Sequence, residues 1–153
     1  MEDICIFTPT YNRAHTLSLL FESLVGQNSQ RFYWLVVDDG STDETEALIK
    51  RFSLASPFRV VYVKQENGGK QRAYNTGVEH CESELFFCVD SDDVLVPSAV
   101  ETILNAWEAY RADASVAGLV GLCGRDENTP LGTGMPQSSG TITFLGSVLQ
   151  ERA

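Results

Sequence analysis

Three carboxylates crowd four consecutive positions of this chain, in the run Asp90-Ser91-Asp92-Asp93. An apolar, strand-like stretch from Leu85 to Val89 leads straight into them, which anchors their backbone while the side chains project from a sheet edge. Carboxylates this close repel one another unless a cation lies between them. Hard cations such as Mg²⁺ or Mn²⁺ choose oxygen ligands and often take one or two carboxylates plus the phosphates of a substrate. The plainer alternative is a solvated acidic turn ahead of a helix at Pro97, since Asp is common at turns and helix starts. Asp38 and Asp39 follow a second apolar run, Tyr33 to Val37. There an aspartate can accept donors from a base or ribose, or merely favour the dipole of the next helix. Pro9 and Tyr11 follow a third run, Ile4 to Thr8. The proline sets the exit path, and the tyrosine ring could stack on a flat base or stand as a half-buried rim aromatic. Lys64, Lys70 and Arg72 form the one compact basic group, around Asn67-Gly68-Gly69. They could meet a diphosphate or remain solvated surface.

The elements that must position these groups follow from periodicity. Leu17, Leu20, Phe21, Leu24 and Val25 fall at helical spacing before Gly26, and Ser41 with Glu44 has the spacing of a capping box for a second helix. Phe58 to Val63 reads as a third strand, followed by a glycine turn and a helix with Ala73, Tyr74, Gly77 and Val78 inward. Leu85 to Val89 is the fourth strand, Pro97 opens a helix carrying Val100, Ile103, Leu104 and Trp107, and Ser115 to Cys123 is the fifth strand. Strands that are apolar throughout, separated by helices, imply an α/β fold: a three-layer sandwich with a mainly parallel central sheet. Such sheets bind ligands at the carboxyl ends of their strands, so all three acidic or aromatic clusters should converge on one rim. Residues 124–140 read as a loop and Thr141 to Glu151 as a short helix. The expected organisation is therefore a binding domain over 1–123 and a different region over 124–153.

Composition narrows the function. Among 153 residues, 11 Lys and Arg face 21 Asp and Glu, a net charge of −10. Such a chain gains nothing from counterion release on a nucleic-acid backbone, so no nucleic-acid partner is expected. If it binds phosphates, a divalent metal is the natural source of the missing positive charge. The four cysteines form no CxxC pair, which suits reduced, mostly buried thiols in the cytosol. The start MEDICIF lacks the basic residues of an export signal, and no apolar run approaches a membrane span. The reading is cytoplasmic, with any contact to the inner face of a membrane left to parts outside this chain. His15 and His80 show no partner and read as surface. The first strand is followed by TPTYNR rather than GxGxxG, and no GxxxxGK[ST] occurs, so dehydrogenase and P-loop readings lack support. The run from Asp90 to Val94 matches the DxDx[TV] of haloacid-dehalogenase-like phosphatases, but no lysine follows Lys70.

Taken together, TPTYNRAHTL (8–17), VVDDGSTDET (36–45), NGGKQRAYNTG (67–77) and VDSDDVLVP (89–97) resemble the family 2 glycosyltransferases. The resemblance covers residues 4 to about 123. It implies a nucleotide-diphospho-sugar transferase fold of the GT-A type, Mn²⁺ or Mg²⁺ dependence, a UDP-sugar donor, and inversion at the anomeric carbon. A glycan or lipid-linked acceptor is implied as the partner, in polysaccharide, lipopolysaccharide or glycoconjugate synthesis. Carried over by position, Tyr11 stacks on the base with Pro9 beside it, Asp39 accepts from the base, and Asp38 supports that loop. Asp90 reaches the ribose and the metal, and Asp92 is the direct metal ligand. Many members carry an arginine where this chain has Tyr74, so Lys70 and Arg72 are the expected phosphate contacts. The general base is expected beyond Ala153, with 124–153 the start of the acceptor side. The alternative is a nucleotide-sugar-binding module without catalysis.

Overall fold

The computed structural model describes residues 2–120, 124–126 and 129–130. The chain divides after Leu104 into two compact units. The first is built from β1 (Ile4–Thr10), α1 (Ala14–Val25), β2 (Phe32–Asp38), α2 (Thr45–Ala55), β3 (Val60–Lys64), α3 (Lys70–Glu79), β4 (Leu85–Cys88) and the start of α4 (Ala99–Tyr110). The strands form one all-parallel sheet in the order β3-β2-β1-β4. Every residue of β1 and β2 is buried, which is why both read as unbroken apolar runs rather than alternating ones.

The two-residue period of the strands still sorts side chains between two layers. Ile4, Ile6, Phe32, Trp34 and Val36 meet Leu17, Leu20 and Leu24 of α1, Ile49 of α2, and Val100 and Leu104 of α4. Cys5, Phe7, Tyr33, Leu35 and Val37 meet Ala73 of α3 on the opposite face. The architecture is thus the expected α/β sandwich of three layers. Inside it, the Trp34 indole N–H donates to the Thr8 hydroxyl at 2.9 Å, so the largest core side chain leaves no orphaned donor. The Cys5 thiol is buried and pushed up to about 12 by that burial. Cys81 and Cys88 are also free thiols, and Cys123 lies outside the described residues.

β1 continues two residues beyond its expected end and takes Pro9 into a central strand. Phe7 accepts a backbone bond from Val89 on the β4 side, and Thr10 accepts one from Asp39 on the β2 side. Pro9 therefore faces β4, past Cys88, the last residue of that ladder, where its missing N–H breaks no pairing. The chain winds outward from β1 to β3 and then returns to place β4 on the other flank of β1. β1 and β4 thus part at the topological switch point, where sheets of this kind leave a crevice.

Several local expectations need correction. The Ser41–Glu44 capping box does not form, because the Ser41 hydroxyl accepts the Asn12 N–H at 2.8 Å. Asp43 instead accepts the Thr45 N–H at 3.0 Å as α2 starts. Tyr74 and Val78 are 40% and 51% exposed rather than inward; Tyr74 meets Phe7 and Phe86 edge-on. The helix expected to open at Pro97 begins at Ala99, and its Val100 N–H is capped by the buried Gln27 side chain of the chain after α1 at 3.0 Å. Residues 115–120 form no strand: Asp113 holds Ser115 in a turn through its N–H at 2.9 Å. A short antiparallel pair, β5 (Gly124–Asp126) with β6 (Thr129–Pro130), occupies part of the expected loop. The helix expected over Thr141 to Glu151 lies outside the described residues.

Gly77 lets α3 lie flush on β1. A Cβ there would come within 2.4 Å of the Phe7 ring, and Phe7 is fully buried and stacked on Phe86. Gly77→Ala gains helix propensity but must displace that ring, so a net loss of about 1–3 kcal/mol is expected by chemical denaturation.

Candidate functional site

The neighbouring aspartates at the end of β2 act in opposite directions. Asp38 is fully buried; one oxygen accepts the Ser41 N–H at 2.8 Å and the other the Tyr62 hydroxyl at 2.5 Å. Burial, then that hydrogen bond, push the Tyr62 phenol far above its ordinary value, so it remains a donor. Asp39 turns toward the loop between β3 and α3. It accepts the Gln65 amide at 2.7 Å, the Gly68 N–H at 2.9 Å and the Gly69 N–H at 2.7 Å. Burial works to raise the Asp39 pKa, but these three donors and the charge of Arg72 outweigh it and hold the carboxyl below the usual range. The turn is possible because Gly40 and Gly69 adopt φ of 83° and 90°. A Cβ on Gly40 would also meet the Asn67 backbone at 3.0 Å.

Asn12 locks the exit of β1 to the same region. At φ 52°, its side-chain oxygen accepts the N–H groups of Thr42 at 2.8 Å and Asp43 at 3.3 Å. Asp43 returns the bond by accepting the Ala14 N–H at 3.1 Å at the start of α1. The TYNR and DDGSTDE segments are therefore one hydrogen-bonded unit, and much of their polarity holds loops rather than ligand.

Beside this unit lies a cleft of about 330 Å³ lined by residues of three strand exits and α3. Pro9, Thr10, Tyr11 and Arg13 line it from β1, Asp39 from β2, Lys70 and Ala73 from α3, and Asp90, Ser91 and Asp92 from β4. Tyr11 is 48% exposed. Of the expected site residues, the cleft brings together Pro9, Tyr11, Asp39, Lys70, Asp90 and Asp92. Asp38 lies beneath it as the support of the loop. Arg72 crosses Gly68, where a Cβ would stand 2.4 Å from its side chain, and does not line the cleft. Thr10, Arg13, Gln65 and Ser91 were not singled out from the sequence. Thr10, Arg13 and Ser91 stand inside the quoted motifs, and Gln65 just ahead of one; that position was their only signal.

The acidic side of the cleft is already paired with one cation. The Lys70 ammonium lies 2.7 Å from both carboxylate oxygens of Asp90, and the bond to Asp90 raises the lysine pKa. Asp92 takes no hydrogen bond or ion pair among the described residues. Burial and then the charges of Asp90 and Asp92 raise the Asp93 pKa, a repulsion that one Lys70 does not cancel. Among the described residues no group of three His, Cys, Asp or Glu is placed to hold a metal ion. The arrangement fits an ion that takes two carboxylates and completes its shell with water and phosphate oxygens, the habit of Mg²⁺ and Mn²⁺.

The family model for glycosyl transferase family 2 matches residues 5–149. The chain belongs to this family. GlyA, a glycosyltransferase of Streptococcus pneumoniae serotype 4, is 34% identical over 115 residues, covering 75% of this chain and 16% of GlyA. Among solved structures, Staphylococcus aureus TarS residues 1–349 in complex with UDP-GlcNAc superimposes with a TM-score of 0.64 at 25% identity. That match covers 71% of this chain and 32% of TarS 1–349. The mannosyltransferase PcManGT of Pyrobaculum calidifontis, in complex with GDP-Man and Mn²⁺, gives a TM-score of 0.64 at 28% identity, over 74% of this chain and 33% of that one. This chain thus spans about a sixth of GlyA and about a third of the two solved chains, and its fold is that of the GT-A glycosyltransferases. No helix among the described residues is long and apolar enough to cross a membrane.

The Asp39 clasp has a pH signature. Because its folded-state pKa is lowered, its contribution to stability is full above the ordinary aspartate value of 3.8. It is lost as pH falls through the lower folded-state value. Amide exchange at Gly68 and Gly69 should therefore stay protected down to about pH 4, whereas Asp39→Ala, which removes both acceptor oxygens, should expose those amides already at neutral pH. Tyr62→Phe strands one buried Asp38 oxygen and should cost about 1–3 kcal/mol by chemical denaturation.

Proposed function

We propose that this chain is the donor-binding part of an inverting glycosyltransferase that uses a nucleotide-diphospho-sugar, with UDP as the nucleotide. The observation that carries this reading is the content of one cleft. An exposed tyrosine ring, a hydrogen-bonding aspartate, two neighbouring carboxylates and a lysine that pairs with one of them line the same 330 Å³ at the switch point of a parallel sheet. A flat base, its polar N–H, a divalent ion and a diphosphate are the complements of those groups, in that order. UDP-GlcNAc and GDP-Man with Mn²⁺ in the structurally similar TarS and PcManGT support it.

In this reading Tyr11 stacks on the base, and Asp39 accepts from a base N–H with the lone pair that Gly69 leaves on its Oδ2. Asp38 keeps that loop in place. A Mg²⁺ or Mn²⁺ ion held by Asp90 and Asp92 would offset the negative charge that builds on the leaving diphosphate. Asp90 must leave Lys70 to serve there, and Lys70 then faces the diphosphate. The acceptor hydroxyl attacks the anomeric carbon opposite the diphosphate, the bond from that carbon to the phosphate oxygen breaks, and the diphosphate leaves with the electron pair. A general base takes the hydroxyl proton; none is assigned among the described residues. The acceptor is read as a glycan or lipid-linked hydroxyl in polysaccharide or glycoconjugate synthesis, and the domain limits as 1–123 for donor binding and 124–153 for the acceptor side.

Calorimetric titration of UDP in the presence of Mn²⁺ tests the reading. Binding should disappear with EDTA and weaken at least about tenfold in Asp92→Ala. Binding that ignores EDTA would remove the metal, and no binding of UDP or GDP by folded chain would remove the nucleotide. Lys70→Met, by releasing Asp90, should tighten Mn²⁺ binding in the absence of nucleotide by several-fold.

A further inference from the structure

One cation of the cleft has no role in the reaction as described. Arg13 lines it from the turn between β1 and α1, and the first turn of α1 holds no acidic residue. Among the described residues its guanidinium has no ion-pair or hydrogen-bond partner. Of the other nearby basic groups, Lys70 pairs with Asp90 and Lys64 with Glu46, while Arg72 lies over Gly68 and does not line the cleft. Asp43, the acid nearest in the turn network, spends its carboxylate on Ala14 and Thr45.

A second, independent observation lies at the same strand exit. Thr10 also lines the cleft, is 3% exposed, and among the described residues its hydroxyl has no hydrogen-bond partner. Buried hydroxyls nearly always find one. An unpaired guanidinium and an unpaired hydroxyl are both donors, and their shared complement is a group of anionic oxygens. We propose that Arg13 and the Thr10 hydroxyl receive phosphate oxygens of the donor, making the turn between β1 and α1 a phosphate contact distinct from Lys70.

The inference rests on the nucleotide-sugar reading and adds to it. α1 packs on one face of the sheet and α3 on the other, so Arg13 and Lys70 approach the diphosphate from the two faces. Once Asp90 and Asp92 share a divalent ion, these two cations match the two negative charges of a nucleotide-diphospho-sugar. Arginine adds a planar fork that can hold two phosphate oxygens at once, which lysine cannot.

Titration of UDP, UMP and uridine into the chain, followed by NMR or calorimetry with Mn²⁺ present, separates phosphate contacts from base contacts. Arg13→Gln should weaken UDP about tenfold and leave uridine within about twofold. Arg13→Lys should fall between the two. Thr10→Val should weaken UDP by several-fold while the melting temperature holds or rises, because it removes an unpaired buried hydroxyl. Wild-type UDP affinity in folded Arg13→Gln would overturn the proposal alone, as would an equal loss for uridine. A Thr10→Val variant that melts earlier and binds UDP normally would return Thr10 to the scaffold and overturn its part. A wild-type chain that binds no UDP would overturn the proposal together with the reading beneath it.

Discussion

The carboxyl edge of this protein depends on two adjacent carboxylates turned in opposite senses at the end of β2. Asp38 faces inward and draws together Ser41 and Tyr62, joining the loop after β2 to β3. Asp39 faces the rim and gathers Gln65 and the backbone of Gly68 and Gly69. A strand alternates its side chains by nature, so a double aspartate at a strand end can serve a buried and a rim partner at once. Positive φ at Gly40 and Gly69 permits the turn, and the bare Gly40 lets the Asn67 backbone approach. Without this clasp the first residues of α3, Lys70 among them, would have no fixed place relative to β4.

That placement sets the electrostatics of the cleft. Two cations face three carboxylates there, and the diphosphate of a donor would meet a surface that is acidic on balance. Lys70 serves as an internal counter-ion to Asp90. In the proposed function, binding would be an exchange of partners, in which the diphosphate takes Lys70 while a divalent ion takes Asp90. Exchange of this sort couples metal and nucleotide binding reciprocally, because each releases the group that the other needs.

Much of the fold was legible in the sequence because β1 and β2 are buried on both faces and so announce themselves as apolar runs. The strand ends that carry the site were legible for the same reason. What escaped was set by contacts between segments distant in sequence. Ser41 looked like a helix cap until Asn12, 29 residues earlier, claimed its hydroxyl. Val100 takes its cap from Gln27, 73 positions away, which no local pattern around Pro97 reveals. Tyr74 has the spacing of a core residue but rests edge-on at the margin of the Phe7 and Phe86 stack. Within the site, residue type alone could not divide the basic group. Lys70 reaches the cleft, whereas Arg72, two positions on, turns back across Gly68.

In the proposed function the crevice between β1 and β4 receives a nucleoside diphosphate with a divalent ion. A crystal structure of the chain with UDP and Mn²⁺ tests it most directly. The expected result is the base against Tyr11 within hydrogen-bond reach of Asp39, the ion on Asp92, and Lys70 parted from Asp90 and turned to the phosphates. Nucleotide bound elsewhere, or bound in the crevice with the Lys70–Asp90 pair intact and no ion on Asp92, would contradict it.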